Sequence, residues 1–170
     1  MSVSHVVVDA NKILDEQVIH LKRGRTNSFG WEPAWNSYFD FYASSKYISP
    51  PLIKLEDISL HLFLRKNLND KNPQWKMPTI RQLKKKFAVS QDKIEGMMKR
   101  LEDAHLLRKV SGASNGFNVG NDYILSDPVQ TLDEFLIVAC EGVFPRLPRP
   151  EWCTDERYTV YRLSVQINRL

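Results

Sequence analysis

The sequence predicts a mainly α-helical protein with one small β-hairpin, and three observations support this fold class. Apolar residues recur at helical spacing in several segments of the 170 residues. Two of these segments, within residues 79–105, are joined only by "AVS", which is too short for anything but a tight turn. The second segment leads into "LLRKV" and "DYILS", two strand-like runs that flank a Gly-, Ser- and Asn-rich stretch typical of a hairpin turn.

The first predicted element is a helix over residues 10–23. Asp9 is a suitable N-cap, and Gly24 stands where a C-cap glycine belongs. The predicted apolar stripe consists of Leu14, Val18 and Leu21. A stripe of this kind packs one face of a helix on a core.

An aromatic face follows in "WEPAWNSYFDFYASSKY". Pro33 suits the first turn of a helix. Four aromatic residues recur at steps of four, three and four, namely Trp31, Trp35, Tyr38 and Tyr42. Such a face can stack on bases, bind a partner or pack on the protein's own core, and core packing is the favoured interpretation.

Another helix is predicted after Pro50 and Pro51 and ends near Asn67. Its predicted inward side consists of Leu55, Ile58 and Leu62. The polar loop after it contains a short predicted strand over residues 75–77.

Two helices and a hairpin are predicted next. Thr79 and Gln82 have the spacing of a capping box at the start of a helix over residues 80–87, with Ile80, Leu83 and Phe87 inward. Ser90 is the predicted N-cap of a second helix over about residues 91–105. Its predicted inward face is Ile94, Met98 and Leu101, with Met97 beside it. Strands over residues 106–110 and 122–126 then flank a turn.

A last helix is predicted from about Thr131, with Glu134 in another capping box. Its apolar stripe consists of Leu132, Phe135, Leu136 and Ala139. This stripe either packs on the core, which is the favoured interpretation, or supports a homodimer. The proline-rich segment 144–152 is a predicted boundary, and alternation over residues 161–167 predicts a strand.

Positive charge is concentrated in one stretch of the chain. Residues 79–110 carry nine basic and four acidic side chains, a net charge of +5, which exceeds the +4 of the whole chain. Residues 111–143 have five acidic side chains and neither Lys nor Arg. An anionic partner is therefore expected at residues 79–110.

The pattern Thr79-Ile80-x-Gln82-Leu83, with "VSQDKIEGMMKRLEDAHLL" and the hairpin, resembles a winged helix-turn-helix domain. It is similar to DnaD-like and plasmid or phage replication initiators and to GntR-type regulators. The predicted organisation is a helical N-terminal extension with the aromatic face over residues 1–49, the winged helix-turn-helix over 50–127, an additional helix over 128–143, and a proline-rich linker and C-terminal segment over 144–170.

The resemblance implies sequence-specific binding of double-stranded DNA. The helix over about residues 91–105 is expected to enter the major groove, and the wing over about 111–121 is expected to touch the backbone or minor groove. Acidic side chains on that helix repel phosphates, although a carboxylate can accept from cytosine N4. The candidate DNA-binding residues are Thr79, Arg81, Lys84, Lys85, Lys86, Ser90, Gln91, Lys93, Glu95, Lys99, Ser114 and Asn115.

The expected role is replication initiation of a plasmid, phage or mobile element. The alternatives are a transcriptional regulator that binds an operator as a dimer, and a winged-helix adapter that binds a protein of the replication or transcription machinery. The adapter would use the aromatic face around Trp35 or the stripe after the wing.

Other classes are not favoured by the residues. Walker-type and HExxH motifs are missing from the sequence, and no enzyme, cofactor or metal site is predicted. Cys140 and Cys153 lack metal-type spacing and are predicted to be reduced thiols. Apolar runs are short and the N-terminus lacks a secretory pattern, so a cytoplasmic, nucleoid-associated protein without a membrane segment is expected.

Overall fold

The computed structural model describes residues 9–18, 36–67, 78–110, 122–141 and 144. This part of the chain is mainly helical with one two-stranded antiparallel hairpin, as the sequence predicts. Its elements in order are α1 (Ala10–Glu16), a π-helical turn (Tyr38–Tyr42), α2 (Leu55–Asn67), α3 (Ile80–Phe87), α4 (Gln91–Asp103), β1 (Leu107–Val110), β2 (Asp122–Leu125) and α5 (Leu132–Cys140). None of the helices described there is long and apolar enough to cross a membrane.

Helix α1 is shorter than the predicted helix over residues 10–23, because the chain leaves it to pair with the hairpin. Asp9 caps the helix as expected, with its side chain 2.7 Å from the Lys12 amide. After Glu16, Val18 forms an isolated antiparallel bridge with Ser126. The buried residues of α1 are Ala10 and Ile13, whereas Leu14 is only half-buried. Leu21 and Gly24 lie outside the described residues.

The second half of the aromatic face packs in the core, which confirms the favoured interpretation for these residues. Tyr38 and Tyr42 are buried. The Tyr42 hydroxyl accepts a hydrogen bond from the Val129 amide at 3.2 Å, and its ring meets the Phe135 ring edge-on at 5.2 Å. Trp31, Pro33 and Trp35 lie outside the described residues.

Helix α2 ends at the predicted residue, but the predicted inward side is partly wrong. Leu55 is 67% exposed and Leu62 is half-buried, while Ile58 is buried. Buried Leu60 and Leu64 complete the apolar side of α2. Three polar side chains are also buried there, because distant parts of the chain supply their partners: Asp57, His61 and Arg65.

Helices α3 and α4 begin as predicted. The Thr79 amide donates to Gln82 Oε1 at 2.8 Å, and the Gln82 amide donates to Thr79 Oγ1 at 3.2 Å, which completes the capping box. Ala88 ends α3 in the left-handed region with φ 53°. Helix α4 ends at Asp103, two residues before the predicted end, since His105 has φ 57° and cannot continue a helix.

The buried residues of α3 and α4 share one core with the hairpin. They are Leu83, Ile94, Met97, Met98 and Leu101, and Ile80 and Phe87 are half-buried against the same core. Leu107 pairs with Leu125 in the hairpin, and both are buried. The Ser126 amide donates to the Leu106 carbonyl at 3.1 Å beyond the ladder. The predicted wing tip over residues 111–121 lies outside the described residues.

Helix α5 belongs to the core, which confirms the packing interpretation of its stripe. Thr131 caps it by accepting from the Glu134 amide at 3.3 Å, and every residue from Phe135 to Cys140 is buried. The buried stripe of α5 does not support the homodimer, which remains a prediction. Cys140 is disulfide-bonded, so the prediction of a reduced thiol is wrong at this residue. Phe144 is buried, and the predicted strands over residues 75–77 and 161–167 lie outside the described residues.

Candidate nucleic-acid interface

The outer surface of α3 is strongly basic. Buried Leu83 fixes the inward side, so Arg81, Lys84 and Lys85 face solvent. In the part of the chain that the structure describes, these three side chains have no carboxylate within ion-pair distance. Lys86 is also exposed, but its ammonium lies 5.6 Å from the centroid of the Phe63 ring on α2. Among the described residues, three of the four cations on α3 therefore have no carboxylate partner and face solvent.

The turn after α3 exposes the first turn of α4. Ser90 Oγ accepts from the Lys93 amide at 3.3 Å, which leaves the hydroxyl proton available to another acceptor. Five side chains on this helix are exposed: Gln91, Asp92, Lys93, Glu95 and Lys99. They lie outside the buried face of the helix, and Lys93 stands on the flank beside α2.

Two of the predicted reading residues are engaged within the protein. Gln91 Nε2 donates to Glu95 Oε1 at 2.7 Å, one helical turn away. Lys93 Nζ lies 2.8 Å from Glu56 Oε2 on α2. The helix that the sequence assigns to DNA therefore presents carboxylates beside its amide and its ammonium. Lys99 has neither an ion pair nor a hydrogen bond among the described residues.

A clamp between α2 and α4 holds this arrangement. Arg100 Nε lies 2.7 Å from Asp57 Oδ2, and its Nη2 lies 2.8 Å from Asp57 Oδ1, a bidentate pair. The same Nη2 contacts Glu56 Oε1 at 3.1 Å. Asp57 is fully buried and also accepts from the Lys54 amide at 2.7 Å. Hydrogen bonding to Asp57 raises the pKa of Arg100, and the hydrogen bond from Lys93 lowers the pKa of Glu56.

Sequence reasoning missed this clamp. The available signal was polar Asp57 next to apolar Ile58 at the start of α2, with Arg100 next to inward Leu101 on α4. A charged residue among inward positions needs a charged partner. The partner lies 43 residues away, so no local pattern identifies it.

The positive charge sits beside α4 rather than on it. Helix α4 carries three basic and four acidic side chains, a net charge of −1, while α3 carries four basic side chains and no acidic one. Strand β1, which packs on α4, adds exposed Arg108 and Lys109, which were not among the predicted site residues. The structure thus brings the predicted residues of α3 and α4 together, whereas Ser114 and Asn115 lie outside the described residues.

A second polar cluster is sealed in the core. The His61 imidazole contacts the Tyr38 hydroxyl through Nδ1 and the Leu106 carbonyl through Nε2, the latter at 3.0 Å. Burial lowers the pKa of His61 to about 4. Arg65 and Asp127 form a buried ion pair at 3.2 Å. These groups are buried, so they position elements rather than meet a solute.

Searches of protein-family models, curated proteins and solved structures found no match. The resemblance to winged helix-turn-helix families therefore remains a prediction that rests on the residues named above.

Proposed function

We propose that the chain binds duplex DNA in a sequence-dependent manner, with α4 toward the major groove and α3 along the phosphates. The observation that carries the proposal is the free, exposed cationic set Arg81, Lys84 and Lys85 on α3, which packs directly on α4. Cations aligned on one element match the regular phosphates of a duplex. An α-helix of the size of α4 fits the major groove.

Affinity and sequence preference have separate sources in this arrangement. The lysines of α3 neutralise phosphates, which every sequence offers equally. The exposed amide of Gln91 suits adenine, and the ammonium of Lys93 suits guanine. Ser90 and the α4 N-terminus suit a single phosphate that fixes the orientation of the helix. Thr79, Glu95 and Lys99 are exposed around the same surface.

The biological process is proposed on the resemblance alone. Replication initiation of a plasmid, phage or mobile element stands first, and operator binding by a dimeric regulator is the alternative. A cytoplasmic, nucleoid-associated location belongs to either role. The adapter is the competing class, although Tyr38 and Tyr42 of the aromatic face and Phe135, Leu136 and Ala139 of the α5 stripe are buried.

Fluorescence anisotropy with labelled random-sequence duplex and single-stranded DNA, across a salt series, tests the proposal. We expect tighter binding to duplex and a steep loss of affinity with salt, whereas an apolar adapter surface would respond little to salt. Absence of binding to either DNA at low salt would refute the proposal.

A pair of double variants locates the phosphate contacts. Lys84→Ala with Lys85→Ala should weaken binding to all duplexes and reduce the slope of log affinity against log salt by roughly two. The matched control, Lys12→Ala with Lys46→Ala, removes two exposed lysines from outside α3 and α4. Equal effects of the two double variants would place the contacts elsewhere.

Single substitutions on α4 test sequence preference. Once a preferred site has been selected from a random library, Gln91→Ala or Lys93→Ala should weaken binding to it by roughly 1–3 kcal/mol and relax the preference. Intact selectivity in both variants would show that α4 does not read the bases.

A further inference from the structure

Glu56 occupies the place beside Lys93 that a DNA phosphate would take. Its Oε2 lies 2.8 Å from Lys93 Nζ, and the two side chains are 34% and 47% exposed, so both reach solvent. The carboxylate is ionised at neutral pH, because the hydrogen bond from Lys93 lowers the pKa of Glu56. An approaching phosphate would therefore meet a negative charge at the same ammonium.

Glu56 is held where it is by the clamp. Its second oxygen contacts Arg100 at 3.1 Å, and Arg100 is fixed by two hydrogen bonds to buried Asp57. A carboxylate bound through both oxygens to two cations does not leave as readily as one in a single surface ion pair. Displacing the Glu56 carboxylate would also remove one of the hydrogen-bond partners of Arg100.

The geometry leaves Lys93 able to bind a neutral acceptor. An ammonium has three N–H donors, and Glu56 takes one of them. Guanine O6 and N7 are uncharged acceptors on one base edge, so the remaining donors can reach them without bringing a second anion to Glu56. A backbone phosphate brings a net charge of −1, which the Glu56 carboxylate repels.

We infer that Glu56 is a specificity-determining residue, which turns Lys93 from a phosphate contact into a contact for a guanine edge. The inference rests on the proposed DNA binding and goes beyond it, because it assigns a role in discrimination to α2, which the sequence does not place at the DNA. Glu56 repels the phosphates of any non-specific duplex near this position. At a preferred site, hydrogen bonds from Lys93 to guanine offset that repulsion.

The test compares Glu56→Gln with Asp40→Asn in the full chain, by anisotropy on random-sequence duplex and on the selected site. Asp40 is exposed on the π-helical turn, so its variant makes the same change in net charge away from α4. We expect Glu56→Gln to tighten random-duplex binding roughly three- to tenfold relative to Asp40→Asn, with a salt slope steeper by about one. Binding to the selected site should change less, so the specificity ratio should fall.

The Lys93→Ala background identifies the cause of any gain. If Glu56 acts through Lys93, Glu56→Gln should bring little gain in protein that already carries Lys93→Ala. A gain of equal size in that background would overturn the inference and leave only a general charge effect. We expect these variants to fold, because Asp57 still holds Arg100 in them, and thermal melts check this. Glu56→Ala serves as a second variant.

The outcomes separate the two proposals. Wild-type binding with a steep salt slope, combined with equal affinities for Glu56→Gln and Asp40→Asn, would overturn the role of Glu56 and leave DNA binding intact. If no variant binds any duplex at low salt, both proposals fail together.

Discussion

The buried imidazole of His61 makes the stability of this protein depend on pH. The ring is fully buried between the Tyr38 hydroxyl and the Leu106 carbonyl, an arrangement that suits the neutral tautomer with its proton on Nε2. Burial lowers the pKa of His61 from 6.5 to about 4. The unfolded chain therefore binds a proton more readily than the folded chain does.

The sign and size of the effect follow from this difference. Because the folded pKa is the lower one, the contribution of His61 is fully present above pH 6.5 and is lost as the pH falls toward 4. Each pKa unit corresponds to about 1.4 kcal/mol, so the whole shift amounts to about 3 kcal/mol. Between about pH 7.5 and pH 5, the free energy of unfolding should fall by about 2 kcal/mol from this group alone.

Urea denaturation of wild type and His61→Gln at several pH values measures the effect. Glutamine can donate to the Leu106 carbonyl but does not titrate, so the variant should lose less stability on acidification than the wild type. We also expect the variant to be less stable than the wild type at neutral pH. Carboxylates titrate in both proteins and cancel in the comparison. Tyr38→Phe is the control, since it removes a hydrogen bond but keeps the imidazole.

Equal pH dependence in wild type and His61→Gln would refute this reasoning. Such a result would mean that His61 takes up its proton in the folded protein at a pH close to its ordinary value, with the Tyr38 hydroxyl turned to accept instead of donate. An NMR titration of the imidazole signals would then identify the folded pKa directly.

Three further substitutions test the clamp, the turn and the helix beside the candidate interface. Arg100→Ala should lower the free energy of unfolding by roughly 2–4 kcal/mol, because it leaves buried Asp57 without its cation, and Arg100→Lys should lower it less. Equal losses of stability in urea denaturation would contradict the importance of the bidentate pair. Ala88→Gly should raise stability by roughly 0.5–1 kcal/mol, since φ 53° strains a residue with a Cβ, and a drop in melting temperature would count against that strain. Gly96→Ala should stabilise α4 by about 1 kcal/mol, because the added Cβ lies 3.6 Å from Arg100 Nη1 in ordinary contact; a loss in thermal melts would show that the site is tighter than this.

The two helices and the hairpin could be predicted from the sequence because their signals are local. The pairs Thr79 with Gln82 and Ser90 with Lys93 lie three residues apart, and the structure contains the corresponding capping hydrogen bonds. The exposed side of α3 follows from the same reasoning, since it lies opposite buried Leu83. Caps and periodic apolar residues act over one or two turns, which a sequence displays directly.

Two of the errors come from contacts between distant segments. The predicted end of α1 is too late because Val18 pairs with Ser126, far along the chain. The predicted inward side of α2 is incomplete because an apolar pattern cannot reveal that Asp57 is buried against Arg100, 43 residues away. Buried polar residues are tolerated only with partners, and sequence alone does not identify the partners.

The candidate site shows the same division between local and distant information. Its exposed residues could be predicted, but the carboxylates that contact them could be placed only in part. Glu95 lies one turn from Gln91, so its position beside Gln91 follows from helical spacing, whereas Glu56 reaches Lys93 from another helix. The local net charge of +5 over residues 79–110 combines a basic α3 and β1 with an α4 whose own net charge is −1. In the proposed complex with DNA, a nearly neutral helix between basic elements would let base contacts decide which sequence is bound, while the neighbouring lysines would decide how tightly any duplex is held.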